Sequence, residues 1–235
     1  MKNFCLTGCY DVGSMYGNTS FQDYKKLTQL CCESFLKNLK NVTDITVLEG
    51  KKVNYHELFK ELYYKVKEFY LENQPCNILF VDSDTICLKP VSIFNQWDKF
   101  AMFNTGEEHR HSYFNSQCLN LVQNLTPWMM ANVRYYPAGL PDSIWDIGDD
   151  LAYSWIDEWA YDTIIYNKMF HSQDLNIINF LRPELNFQVE GDLGMISRET
   201  VRDASILHCH ATRNSNMAIQ KMDRAIKLSG LEVSL

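Results

Sequence analysis

No run of 18 apolar residues occurs in the 235-residue chain, so no transmembrane helix is expected. The opening MKNFCLTGCYDVGS is too short and too polar for a signal peptide. Eight cysteines are scattered as Cys5, Cys9, Cys31, Cys32, Cys76, Cys87, Cys118 and Cys209, with no CxxC pair and no zinc-ligand spacing. Most sit in apolar stretches, so they are expected as free thiols in a core and the setting as a reducing cytoplasm. No dense Lys/Arg patch stands out and the net charge is -7, which argues against nucleic acid as a partner. A small phosphorylated ligand stays open, since a divalent cation can neutralise it without a basic surface. Glycine is scarce, and there is no low-complexity tract or internal repeat. An apolar share of 46% against 22% charged residues then describes an ordinary globular chain with a substantial core.

The first 85 residues alternate short apolar runs with long amphipathic ones. NFCLTGCY (3–10) reads as a strand. Ser20 followed by Asp23 reads as a helix N-cap with an acid at its third position. Leu27, Leu30, Cys31, Ser34 and Phe35 then recur at helical spacing to about Leu39. DITVLEG is a second strand. Asn54 with Glu57 opens a second helix with an inward stripe of Leu58, Leu62, Val66 and Phe69, and Ile78 to Val81 is a third strand. This β-α-β-α-β order predicts a Rossmann-like half of an α/β fold, with a central, mostly parallel sheet flanked by helices.

The second half is less regular. KFAMFN reads as a strand, 127–150 as largely loop because of Pro127, Pro137, Gly139, Pro141 and Gly148, and a helix capped by Ser154 runs to about Phe170. ASILHCH is a late strand, and NMAIQKMDRAIKLSG a closing helix ended by Gly230. No linker separates the halves, so one domain over 1–235 is expected, with 1–100 as the nucleotide-binding half and 101–235 as the acceptor-side half.

The stretch NILFVDSDTICLKP (77–90) runs from a strand straight into Asp82 and Asp84. Ligands of parallel α/β sheets bind at the carboxyl ends of strands, and two carboxylates placed there can grip a hard cation. A turn with two solvated acids is the alternative. In its context the stretch resembles the DxD segment of GT-A-type glycosyltransferases, which hold the diphosphate of a nucleotide sugar through a divalent metal. CLTGCYDVGS with the following helix is similar to their nucleotide-binding start, DEWAYDTIIYNKMF to their acidic helix near the transferred sugar, and ILHCHATR to their late metal-ligand histidine segment.

The resemblance implies a single GT-A-like domain that transfers a sugar from a nucleotide-diphosphate donor, UDP by family frequency with GDP open, to a carbohydrate or glycoconjugate acceptor. It implies that Asp82, Asp84 and His208 bind the metal, with His210 as a rival, since i and i+2 on a strand share a face. Imidazole favours Mn²⁺ over Mg²⁺, though Mg²⁺ stays possible. Thr7, Tyr10, Asp11, Val81, Asp82, Ser83 and Arg213 would contact the nucleotide sugar. Lys221 would either offset diphosphate charge or be a solvated surface residue, and Tyr10 would either stack on the base or fill a core. The chain departs from the family's pattern at Gln117, where a glycine is usual, and at Ala211 and Thr212, where a late glycine is missing.

Between Arg134 and Lys168 there is no basic residue. The span holds Asp142, Asp146, Asp149, Asp150, Asp157, Glu158 and Asp162 with Trp145, Trp155 and Trp159. Carboxylates accept sugar hydroxyls and indoles stack on sugar C–H faces, so this span suits a sugar cleft; a solvated acidic loop beside an inward-packing helix is the other reading. Glu158 and Asp162 stand i, i+4 on one helix face. Asp157, Glu158 and Asp162 are the candidates for a general base or for donor-sugar contacts.

Two rivals share parts of the pattern. A haloacid-dehalogenase-like phosphatase also begins with a strand and DxD, and IGDD (147–150) resembles its second acidic motif, but that family wants the DxD on its first strand. A non-catalytic nucleotide-sugar-binding domain would keep the scaffold without turnover.

Overall fold

The structure is a computed structural model. It describes residues 1–11, 20–51, 55–102, 132–152, 160–173, 183–189, 191–210 and 214–233, without the side chains of 55–56, 151–152, 160–163 and 183.

Three parallel strands form the frame: β1 (Lys2–Asp11), β2 (Asp44–Lys51) and β3 (Cys76–Val81). Helix α1 (Phe21–Asn38) joins the first two, and α2 (Tyr55–Glu72) leads into the third. The sheet is completed by β6 (Val133–Tyr136), antiparallel to β3, and β5 (Ala101–Met102), antiparallel to β6, giving the order β2-β1-β3-β6-β5. The Ser20 side chain accepts from the Asp23 amide at 3.1 Å, satisfying one of the free N–H groups at the start of α1.

The apolar alternation of β1 and β3 sorts their side chains onto two faces. Phe4, Leu6, Ile78 and Phe80 join Leu58, Leu62, Tyr63, Val66 and Tyr70 of α2 in one core. Cys5, Leu79 and Val81 join Leu27, Leu30, Cys31 and Phe35 of α1 in the other. β3 is buried along its whole length, as a strand covered on both faces must be.

A second sheet, of three strands, lies beyond the first. Its strands are β4 (Thr85–Cys87), β7 (Phe187–Gln188) and β8 (Ile206–His208), in the order β4-β8-β7. The late strand expected in ASILHCH therefore forms a separate sheet and does not extend the central one. α1 braces this sheet: Ser34 Oγ accepts from the Cys87 amide at 3.0 Å, and Asn38 Nδ2 donates to the Cys87 carbonyl at 2.8 Å.

The loop expected over 127–150 is corrected in part. Among its described residues, Val133–Tyr136 is a buried strand, and Ser143–Ala152 forms helix α3. Proline and glycine have other physical reasons here. Pro141 sits just ahead of α3, where a missing N–H costs nothing. Gly148 lies inside α3 because the helix presses on Tyr63, and a Cβ at Gly148 would overlap the Tyr63 ring and hydroxyl. Tyr63 also donates to the Trp145 carbonyl at 2.7 Å. Further helices are α4 (Ala160–His171), α5 (Arg198–Asp203) and α6 (Ser215–Ser229). Gly230 ends α6 in the left-handed conformation at φ 71°, as expected of a C-terminal glycine.

The seven described cysteines are unpaired thiols, all buried except the half-buried Cys32. Burial pushes Cys32 and Cys76 up to about 11 and Cys87 up to about 12, which suits inert core residues. Among the described residues no helix is long and apolar enough to cross a membrane.

Gly148→Ala tests the α3–α2 contact. An exposed helical Gly→Ala gains up to about 1 kcal/mol. Here overpacking against Tyr63 reverses the sign, with a net loss of about 2 kcal/mol expected in urea denaturation.

Candidate metal centre

β3 delivers Asp82 and Asp84 from a fully buried strand into a tight turn, in which the Thr85 amide donates to the Asp82 carbonyl at 3.1 Å. β4 starts at Thr85 and runs antiparallel to β8, with Thr85 opposite His208. The Cys209 amide donates to the Asp84 carbonyl at 2.8 Å. The ladder thus carries His208 to Asp84 across more than a hundred residues of sequence.

His208 Nε2 lies 3.0 Å from Asp84 Oδ1. His210 completes the group, its ring centroid 5.4 Å from that of His208. One ligand atom each from Asp84, His208 and His210 can be chosen so that all lie within 4.8 Å of one another, the arrangement a single ion needs. Two ligands each about 2.1 Å from an octahedral ion stand about 3 Å apart, which matches the Asp84–His208 spacing. One carboxylate and two imidazoles, together with Asp82 in the same turn, fit a divalent cation.

The two carboxylates are pushed in opposite directions. For Asp84, burial disfavours the charge, but the His208 imidazole beside it prevails and the carboxyl falls to about 2. For Asp82, burial raises the carboxyl and the Asp84 charge raises it further, against smaller opposing effects of Arg134 and His208. Burial alone would lower His208, yet the Asp84 carboxylate next to it carries its value upward.

Asp82 is held by residues that the sequence pattern did not single out. Asn132 Nδ2 donates to Asp82 Oδ2 at 3.1 Å, and the Asp82 amide donates to the Asn132 carbonyl at 3.0 Å. Arg134, two residues on in β6, is 1% exposed, its guanidinium 4.0 Å from the Phe80 ring centroid and 3.8 Å from that of Tyr166. The signal for Arg134 was present: VRYY sets a cation in an apolar run, the same anomaly that draws attention to Asp82.

The other candidates differ in their surroundings. Thr7 and Val81 are register partners on β1 and β3, and both side chains are buried. Ser83 is half-buried between the two aspartates. Tyr10 is 5% exposed and packs in the α2-side core; opposite it in β2, a Cβ on Gly50 would run into its ring. This is the core alternative, since the ring faces are taken by protein. Asp11 ends β1 with Lys51 4.0 Å away. Asp157, Glu158 and Arg213 lie outside the described residues, as do Trp155, Trp159 and the side chain of Asp162.

Trp145 follows the inward-packing reading: it is 1% exposed and stacked on Tyr136 with the ring planes 6° apart. One expectation is corrected. Lys221 is not a solvated surface residue but is completely buried. The IGDD acids lie on α3, where Asp149 pairs with Lys67, and among the described residues neither Asp149 nor Asp150 joins the Asp84 group. The phosphatase reading therefore lacks its second acidic motif at this centre.

No protein-family profile and no curated protein sequence matches the chain. Solved structures do match its fold. One is a glycosyltransferase involved in the glycosylation of the major capsid of PBCV-1, with a TM-score of 0.60 and 14% identity over 95% of this chain and 100% of that one. Another is the apo structure of the bifunctional glycosyltransferase WbbM, with a TM-score of 0.64 and 13% identity over 98% of this chain and 50% of that one. The chain has a glycosyltransferase fold. It spans the whole of the first neighbour and half of the second.

The Asp84–His208 pair gives the metal-free protein a pH dependence of defined sign. Asp84 titrates lower folded than unfolded, so its share of stability is present above the ordinary carboxylate range and is lost as pH falls towards about 2. His208 titrates higher folded than unfolded, so its share is present below the ordinary imidazole value and is lost as pH rises through the raised one. In EDTA, wild type should exceed Asp84→Asn in Tm most between the ordinary carboxylate and imidazole ranges, with the gap narrowing as pH rises through the raised His208 value in differential scanning calorimetry.

Proposed function

We propose that this chain is a metal-dependent glycosyltransferase, moving a sugar from a nucleotide-diphosphate donor to an acceptor hydroxyl within one domain. The observation that carries the reading is the convergence of Asp84, His208 and His210 at the carboxyl end of β3, on a fold shared with two solved glycosyltransferases. The acidic chain has no dense Lys/Arg patch for a diphosphate, and a divalent ion supplies that charge when bound.

Asp84, His208 and His210 would hold the ion. Two imidazoles favour Mn²⁺ over Mg²⁺, which prefers an all-oxygen shell. Asp82, bonded by Asn132 and kept more readily protonated than Asp84, would bind the ion or the donor's ribose, and Ser83 between them would offer a hydroxyl and backbone groups. Thr7, Tyr10, Asp11, Val81 and Arg213 remain proposed for donor binding, Tyr10 on condition that its ring leaves the core. Asp157, Glu158 and Asp162 are the proposed acids for the donor sugar or for drawing the proton from the acceptor hydroxyl. UDP is the preferred nucleotide.

A thermal-shift panel of UDP- and GDP-sugars, with and without Mn²⁺, tests this. A true donor at about a hundred times its Kd adds about 2.7 kcal/mol, a Tm rise of about 5–10 °C for a chain of this size. The rise should require Mn²⁺ and vanish in Asp84→Asn, with slow donor hydrolysis in the wild type alone. Metal-dependent binding without hydrolysis or transfer to any acceptor would point to a binding module. An unshifted Tm throughout, with turnover of small phosphoesters, would point to a phosphatase.

A further inference from the structure

Lys221 lies on α6 and has no exposed surface. Burying an ammonium is expensive unless it is fully engaged. Its Nζ donates to the Val189 carbonyl at 3.1 Å and to the His210 carbonyl. Val189 follows the last residue of β7, and His210 stands two residues past the end of β8, so the ammonium joins the two chains just beyond their parallel pairing of Gln188 with His208.

The segment from His208 to His210 is thereby held at three successive residues. The His208 carbonyl accepts from the Val189 amide at 3.0 Å, the Cys209 amide donates to the Asp84 carbonyl at 2.8 Å, and the His210 carbonyl accepts from Lys221. The first two contacts are backbone bonds around the β7-β8-β4 sheet. The third comes from another element, where the sheet has ended.

We propose that Lys221 is a positioning residue for the cation site. Its ammonium fixes the backbone at His210 so that this imidazole converges with His208 on Asp84. The inference rests on the metal-site reading above. Charge alone would act the other way: a lysine near a cation site weakens cation binding, so removing it would tighten the site. Positioning predicts that removal loosens it. The sign of the change separates the two.

The test is Mn²⁺ binding followed by loss of the free-ion electron paramagnetic resonance signal, without donor or acceptor. The proteins are wild type, Lys221→Met, Lys221→Gln, His210→Ala and the Lys221→Met/His210→Ala double variant. Loss of a group that orients a ligand typically weakens a metal site about 10- to 100-fold, and this is expected for Lys221→Met. Lys221→Gln, whose amide N–H can still donate to a carbonyl, should fall between Met and wild type. On the His210→Ala background Lys221→Met should add little, since the two act through one ligand. Circular dichroism establishes which variants fold, and if the Met variant does not, the Gln variant carries the comparison. The proposal is overturned if a folded neutral variant binds Mn²⁺ as tightly as wild type or more tightly, if the two substitutions are additive, or if neither neutral variant folds. If wild type takes up no Mn²⁺, the metal-site reading falls and this inference with it.

Discussion

Negative charge half-buried at the end of β3 is the constraint around which this molecule is arranged. A strand covered on both faces runs directly into two carboxylates, and such groups are stable only where opposite charge or hydrogen bonds meet them. The two are met differently. Asp84 is faced by His208 at 3.0 Å and held ionised. Asp82 is bonded by Asn132 and lies in the field of Arg134, yet burial and the neighbouring charge leave it the more easily protonated of the two. Two acids separated by a single residue are thereby set to different acidities by their surroundings alone.

The architecture serves that arrangement. α1 clamps β4 through Ser34 and Asn38, β4 pairs with β8, and β8 brings the imidazoles to the aspartate. The small second sheet works as a bracket that ties the last third of the chain to the carboxyl end of β3. Lys221 extends the bracket one step past the strand end. Sequence identity to the structural neighbours is only 13–14%, and the likeness conveys the overall fold alone.

Much of the first half was legible in the sequence because its elements are defined by local rules. The Ser20 cap, the inward stripe of α1 and the alternation in β1 and β3 each depend on residues within a few positions of one another. The second half departs from its sequence pattern where a local signal has a distant cause. Gly148 has the look of a breaker, but Tyr63 of α2 occupies the space of its side chain. Trp145 has the look of a sugar platform, but Tyr136 stacks on it. Lys221 reads as solvated because a charged residue on an amphipathic helix ordinarily is, and its carbonyl partners lie 11 and 32 positions away.

The sequence by itself determined the βαβαβ start and the placing of Asp82 and Asp84 at a strand end, because hydrophobic periodicity and strand polarity are properties of short stretches. It also nominated His208 and His210, though only through resemblance. Tertiary structure decided that these imidazoles meet Asp84, that Asp82 and Asp84 differ in acidity, and that Asn132, Arg134 and Lys221 attend them. Those outcomes depend on distances between elements remote in the chain, and such distances are set by packing and strand register, which no local pattern encodes.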